Sequence, residues 1–189
     1  MEAILNNFLI IILFYLIGSI PFAILTHKIM TTGDPRMLGS TNPGATNMYR
    51  IAGPLPGVLT FLGDFLKGFI PIYLLGDQDI HVLYIFSFFI LFGHMFPVFN
   101  KFKGGKGVAS SFGFILAMDL LIGLSILIIW ALVFIFKRIS GLSAIVSFMF
   151  LPIVALVTLN NFILFLMTLL HTLIILLNHR SNIRELLQG

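Results

Sequence analysis

The sequence predicts an all-α, polytopic integral membrane protein, and three observations predict it. Of 189 residues, 59% are hydrophobic and only 10% are charged, too few polar groups to cover a soluble domain of this size. The apolar stretches are continuous rather than alternating, which suits helices in hydrocarbon and not the strands of a membrane barrel. The 11 Lys and Arg residues are concentrated in the breaks between those stretches, as in loops kept on one side of a membrane.

At about 20 residues per crossing, the apolar runs predict about seven transmembrane helices, at residues 3–29, 56–75, 81–98, 107–118, 119–136, 141–159 and 161–178. The run at 107–118 is short and needs a thinned bilayer or surrounding protein. It is nevertheless required to segregate the charges. With the N-terminus outside, Lys28, Arg36, Arg50, Lys101, Lys103, Lys106, Lys137, Arg138, Arg180 and Arg184 fall on the cytoplasmic side, and Glu2, Asp77, Asp79 and Asp119 on the other. Of the Lys and Arg residues, Lys67 alone lies inside a span away from its ends. The positive-inside rule therefore predicts an outside N-terminus, a cytoplasmic C-terminus and a cytoplasmic site. The opening MEAILNN lacks the basic region of a cleaved signal, so the first run is predicted to be retained. Residues 44–51, between GSTNPG and GPLPG, predict a short interfacial or re-entrant helix. No internal repeat stands out, and 1–189 is read as a single transmembrane domain.

The absences narrow the chemistry. With no cysteine, disulfides, thiolate metal sites and acyl-thioester intermediates are excluded. No Gly-x-Ser-x-Gly elbow, no His-x-x-x-x-Asp pair and no acidic cluster suited to a metal is found. The net charge of +4 belongs to the membrane loops and does not indicate nucleic acid.

Four polar clusters fall on the predicted cytoplasmic side. GSIP, residues 18–21, reads as helix packing and a kink. LGSTNPGATNMYR, residues 38–50, alternates small polar residues with glycine, so Ser40, Thr41, Asn42, Thr46 and Asn47 are expected to build an anion nest that Arg50 closes. FKGGKGVAS, residues 102–110, is not a Walker loop, because Lys106 is followed by Gly107 rather than Ser or Thr and the preceding run is a membrane helix. What remains is Gly104, Gly105 and Gly107 admitting backbone amides to an anion, Lys106 supplying charge, and a helix N-terminus behind them. At the C-terminus, His179 and Asn182 stand three apart on the expected extension of the last helix, and Ser140 and Ser143 open the sixth span. Inside the second span, Asp64 and Lys67 share one face, a costly pair that marks either a site or a brace. His94 is read as holding the bend before the glycine loop.

Taken in order, GSIPFAIL, GSTNPGATN, DFLKG, GHMFPVFNKFKGGKGVAS and HRSNI resemble the bacterial PlsY-type acyl-phosphate:glycerol-3-phosphate acyltransferases over essentially the whole chain. The resemblance implies a seven-helix enzyme of the bacterial plasma (inner) membrane with its site open to the cytoplasm. It implies acyl transfer from acyl phosphate to the 1-hydroxyl of glycerol 3-phosphate, giving lysophosphatidic acid and phosphate for phospholipid synthesis, with no cofactor or metal. An acyl-phosphate-forming enzyme is the implied partner, alongside membrane lipid. By the same resemblance, Ser40, Arg50, Lys106 and Ser143 match phosphate-binding positions and His179 and Asn182 positions near glycerol 3-phosphate. Asn42, Thr46, Asn47, Gly104, Gly105 and Gly107 match shaping positions. Ser110 stands where the family more often has Thr, and Glu185 where a basic residue is expected.

Arg50 and Lys106 are thus expected to offset charge as phosphate departs. The hydroxyl proton is expected to pass to a substrate phosphate oxygen, with His179 as the rival acceptor. A carrier or channel for a small phosphorylated anion is the alternative. It suits the sequence less well because no cation except Lys67 lies deeper than the cytoplasmic clusters.

Overall fold

The computed structural model describes residues 2–188, and all regular structure among them is helical. It divides into two compact units, the first ending at Phe114 and the second beginning at Ile115. The first unit contains α1 (Glu2–Gly18), α2 (Phe22–Met30), α3 (Ala45–Ala52), α4 (Pro54–Leu74), α5 (Ile80–Met95) and the start of α6 (Val108–Met118). The second contains the end of α6, then α7 (Leu120–Lys137), α8 (Ser140–Leu159), α9 (Phe162–Asn178) and α10 (Arg180–Gln188).

Four stretches, α4, 80–100, α7 and α8, are long and apolar enough to cross a bilayer, and two bent pairs bring the number to six. The remaining predicted run is α6, whose 11 residues reach about 16 Å at the usual helical rise. Helix α7 shows why these runs read as lipid-facing: Leu120, Leu124, Ile128, Leu132 and Ile135 form an exposed stripe, while only Ile122, Gly123 and Ile126 are buried.

One predicted span and one predicted helix extension differ from continuous helices. The first breaks between Gly18 and Phe22, with a bend of 41° between α1 and α2, because Pro21 has no amide to continue the helical ladder. Side-chain donors serve the carbonyls around the break, as an apolar setting demands. Ser19 Oγ donates to the Tyr15 carbonyl at 2.8 Å, and Lys67 Nζ donates to the Ile20 carbonyl at 2.9 Å. The second is the C-terminal extension: α9 stops at Asn178, and α10 leaves at 62°.

Glycines set the close crossings. A Cβ on Gly18 would overlap the Ile90 carbonyl, and one on Gly93 would overlap the Tyr15 carbonyl, so α1 and α5 touch backbone to backbone. Gly68 meets the Ser110 carbonyl and Gly113 the Phe65 carbonyl in the same way, seating the first turns of α6 on α4. In the second unit, Thr172 Oγ1 donates to the Phe148 carbonyl at 2.7 Å and ties α9 to α8. Asp119 and Asn161 accept from Ile122 N and Leu164 N, capping α7 and α9.

Candidate active site

The GSTNPG loop is organised around one buried side chain. Asn47, 1% exposed, accepts from Ser40 N at 2.9 Å and donates to the Pro35 and Leu38 carbonyls, both at 3.0 Å. Gly39 lies in the left-handed region at φ 64°, and a Cβ there would overlap the Asn47 carboxamide. The amides of Thr41 and Gly44 bond to the Leu38 and Asn42 carbonyls at 3.2 and 2.9 Å. The expected anion nest is therefore corrected in part: these amides, and the Asn47 side chain, are taken up by the loop itself. Ser40 and Thr46 are exposed and Asn42 is half-buried. Arg50 is exposed in the last turn of α3.

The glycine loop is built from the end of α5. After a 3-10 turn at Val98–Asn100, Lys101 and Phe102 both adopt positive φ, 50° and 59°. Phe102 N and Lys103 N bond to the Pro97 and Asn100 carbonyls at 2.9 and 3.0 Å. The Asn100 carboxamide donates to the Lys103 carbonyl and accepts from Arg36 Nη1 at 3.0 Å. Arg36 is clamped by Asp34 at 2.7 Å, and its hydrogen bonds hold the Asp34 carboxyl down to about 2. Gly104 N and Gly105 N then donate to the Met95 and His94 carbonyls at 3.1 and 3.2 Å. A Cβ on Gly104 would overlap the His94 carbonyl, and one on Gly105 would overlap the His94 ring. This corrects the reading of both glycines: their amides are bonded to α5, and the missing Cβ permits contact with α5 rather than approach to an anion. Gly107 is buried at φ 86°, and half-buried Lys106 stands two residues ahead of α6.

Beneath the loop lies a buried polar cluster. Lys67 Nζ is 2.7 Å from Asp64 Oδ1, each side chain 3% exposed. His94 Nδ1 is 3.5 Å from the same oxygen and 3.2 Å from Ser110 Oγ. The Phe22 ring faces the ammonium at 5.8 Å, within cation–π range. A narrow cleft is lined by Pro21, Pro43, Asp64, Lys67, His94, Asn100 and Lys103 together with Gly104 and Gly105. Pro43 and Gly105 on its walls bring the two glycine-rich motifs together. Sequence reasoning did not assign Ser110, Asn100, Arg36 or Asp34, and gave His94 only the bend. The readable signal for His94 was a polar residue ending an apolar run just before a Pro and a glycine pair.

In the second unit, Ser143 is buried and its Oγ donates to the Ile139 carbonyl at 2.9 Å. His179, 2% exposed, closes α9, and its Nδ1 is 2.8 Å from the Ile175 carbonyl. The carbonyl can only accept, so Nδ1 carries the proton. Asn182 lies on α10 with its carboxamide 3.0 Å from where a Gly141 Cβ would be, so the start of α8 and α10 pack together. His179 thus sits at the corner between α9 and α10 and not, as expected, on one helix continuing to Asn182. Among the described residues, no group of His, Asp and Glu is arranged to hold a metal.

Comparison with known proteins gives a consistent result. A family model described as glycerol-3-phosphate acyltransferase matches residues 8–189. A glycerol-3-phosphate acyltransferase of Halorhodospira halophila is 43% identical over 96% of this chain and 93% of its own. One of Methylobacillus flagellatus is 39% identical over 98% and 95%. The crystal structure of PlsY (YgiH), an integral membrane glycerol 3-phosphate acyltransferase, in its glycerol 3-phosphate form, superposes with a TM-score of 0.90 at 35% identity, covering 97% of this chain and 93% of that one. Its lysophosphatidic acid form gives 0.88 at 34% identity.

Proposed function

The chain belongs to the glycerol-3-phosphate acyltransferase family, and from that premise we propose that it moves a fatty acyl group from acyl phosphate to the 1-hydroxyl of glycerol 3-phosphate. The ester bond to the hydroxyl oxygen forms as the bond from the acyl carbon to the phosphate oxygen breaks. The products are lysophosphatidic acid and inorganic phosphate. The observation that carries this reading is the meeting of the two glycine-rich motifs at Pro43 and Gly105, with Lys106 immediately ahead of the α6 N-terminus.

Acyl phosphate is already activated, so the enzyme's task is to hold two anions together and neutralise the departing phosphate. Lys106, Arg50 and Ser40 take the phosphate-facing roles, aided by the start of α6. The resemblance assigns Ser143 to phosphate and His179 and Asn182 to glycerol 3-phosphate. The hydroxyl proton passes to a phosphate oxygen. With an outside N-terminus, the basic loops and this chemistry face the cytoplasm of a bacterial inner membrane, where an acyl-phosphate-forming enzyme supplies the donor.

Purified protein in detergent tests the reaction: phosphate release must require both acyl phosphate and glycerol 3-phosphate. Release independent of glycerol 3-phosphate, or none, overturns it. Orientation is tested with single cysteines introduced at Asp77 and Lys137 into this cysteine-free chain. An impermeant maleimide should label the first and not the second in intact cells.

A further inference from the structure

The buried cluster under the glycine loop has no part in the reaction just described, yet it links the α1–α2 break, α4, α5 and the start of α6. Lys67 joins the broken first span through the Ile20 carbonyl to Asp64 at 2.7 Å. Asp64 faces His94, and His94 meets Ser110 in the first turn of α6 at 3.2 Å. His94 also supports the loop directly, through its carbonyl to Gly105 N and through its ring, which fills the space a Cβ on Gly105 would take. Lys106 therefore hangs between two points, Gly105 and Ser110, that both bear on one imidazole. A buried polar chain of this kind rigidifies only when each member is satisfied, and a shift of the imidazole moves both supports at once.

We propose that Asp64, Lys67, His94 and Ser110 form a positioning relay that fixes the glycine loop, with His94 as the post against which residues 104–107 are set. The inference deepens the proposed function, because it takes Lys106 as the residue whose placement matters. These are positioning residues and do not touch the reacting atoms. The relay also explains Gly105: an alanine there has no left-handed backbone strain to meet, and the atoms nearest its methyl would be the His94 ring and, at 3.2 Å, the Pro43 carbonyl.

That contact yields a specific test. Gly105→Ala should lower kcat/KM by about tenfold or more, and His94→Ala should lower it as well. In the His94→Ala background, the added Gly105→Ala should cost less than about twofold, because the ring it displaced is gone. A merely structural contribution from each site would leave the two losses multiplicative, and that result overturns the proposal. A second measurement does not depend on turnover. Trypsin should cut after exposed Lys101 and Lys103 at least about threefold faster in Ser110→Ala and His94→Ala, with cleavage after Lys137 and Arg138 unchanged. Equal acceleration at all four sites, or none, refutes a local relay. If the unmodified protein fails to use acyl phosphate, the functional reading falls while the trypsin rates still decide the relay.

Discussion

Lys67→Met is the sharpest probe of how the polar cluster is held. Methionine keeps the unbranched stem and removes the ammonium, so the change is electrostatic more than steric. It leaves the Asp64 carboxylate 3% exposed with His94 at 3.5 Å, and takes the side-chain donor from the Ile20 carbonyl. Removing one member of a buried pair costs about 3–5 kcal/mol, and the lost Ile20 hydrogen bond adds about 1 kcal/mol. For a chain of this length, each kcal/mol lowers the unfolding midpoint by roughly 2–4 °C, so the expected fall is about 8–24 °C. The double variant Asp64→Asn with Lys67→Met removes both charges and retains chiefly the Ile20 loss. Its midpoint should lie within about 8 °C of the unmodified protein, well above the sum of the single effects. Helical circular dichroism of detergent-solubilised protein on heating measures all four. A Lys67→Met midpoint within about 2 °C of the original, or a double variant no better than additive, would refute the view that mutual neutralisation holds Asp64 in the interior.

Four further outcomes follow from the same geometry. Lys106→Ala should lose at least about 100-fold in turnover in a sample that still folds, and near-normal activity in such a sample would remove Lys106 from its role. If the proton goes to phosphate as proposed, His179→Ala should raise KM for glycerol 3-phosphate while kcat stays within about tenfold; a loss beyond about 1,000-fold in kcat would make the histidine the base. Asn47→Ala deletes the three loop bonds at Ser40, Pro35 and Leu38, worth about 2–4 kcal/mol together, and a midpoint shift of under about 2 °C would contradict that accounting. Gly93→Leu forces α1 and α5 apart at the Tyr15 carbonyl and should abolish the monodisperse peak in size-exclusion chromatography, whereas a stable, active variant would show that the crossing tolerates a side chain.

The helical class was legible because lipid-facing residues are read by hydropathy alone. The α7 stripe from Leu120 to Ile135 has no alternative reading in water, and Asp119 and Asn161 mark helix starts by their own chemistry. The breaks were less legible. Pro21 signals a kink, but Pro71 and Pro152 lie inside continuous α4 and α8. A carbonyl that a helix break leaves outside the ladder needs another donor, and that donor can come from far along the sequence. At Ile20 the donor is Lys67, 47 positions away.

The same limit governs the site. A glycine states that no Cβ is tolerated; it does not state what the Cβ would strike. At Gly104 and Gly105 the obstacle is His94 on α5, so a motif that reads locally as an anion cradle is first a packing surface. Asn47 poses the matching problem for polar side chains, since its carboxamide could bind a ligand or replace backbone partners, and only the three observed bonds decide for the loop. In a chain with 10% charged residues, each buried polar group must find partners inside the protein before any is left for substrate. The Asn47 carboxamide and the Gly104 and Gly105 amides have such partners within the protein. Lys106, on the short segment between Gly105 and α6, is the cation that the proposed relay would place.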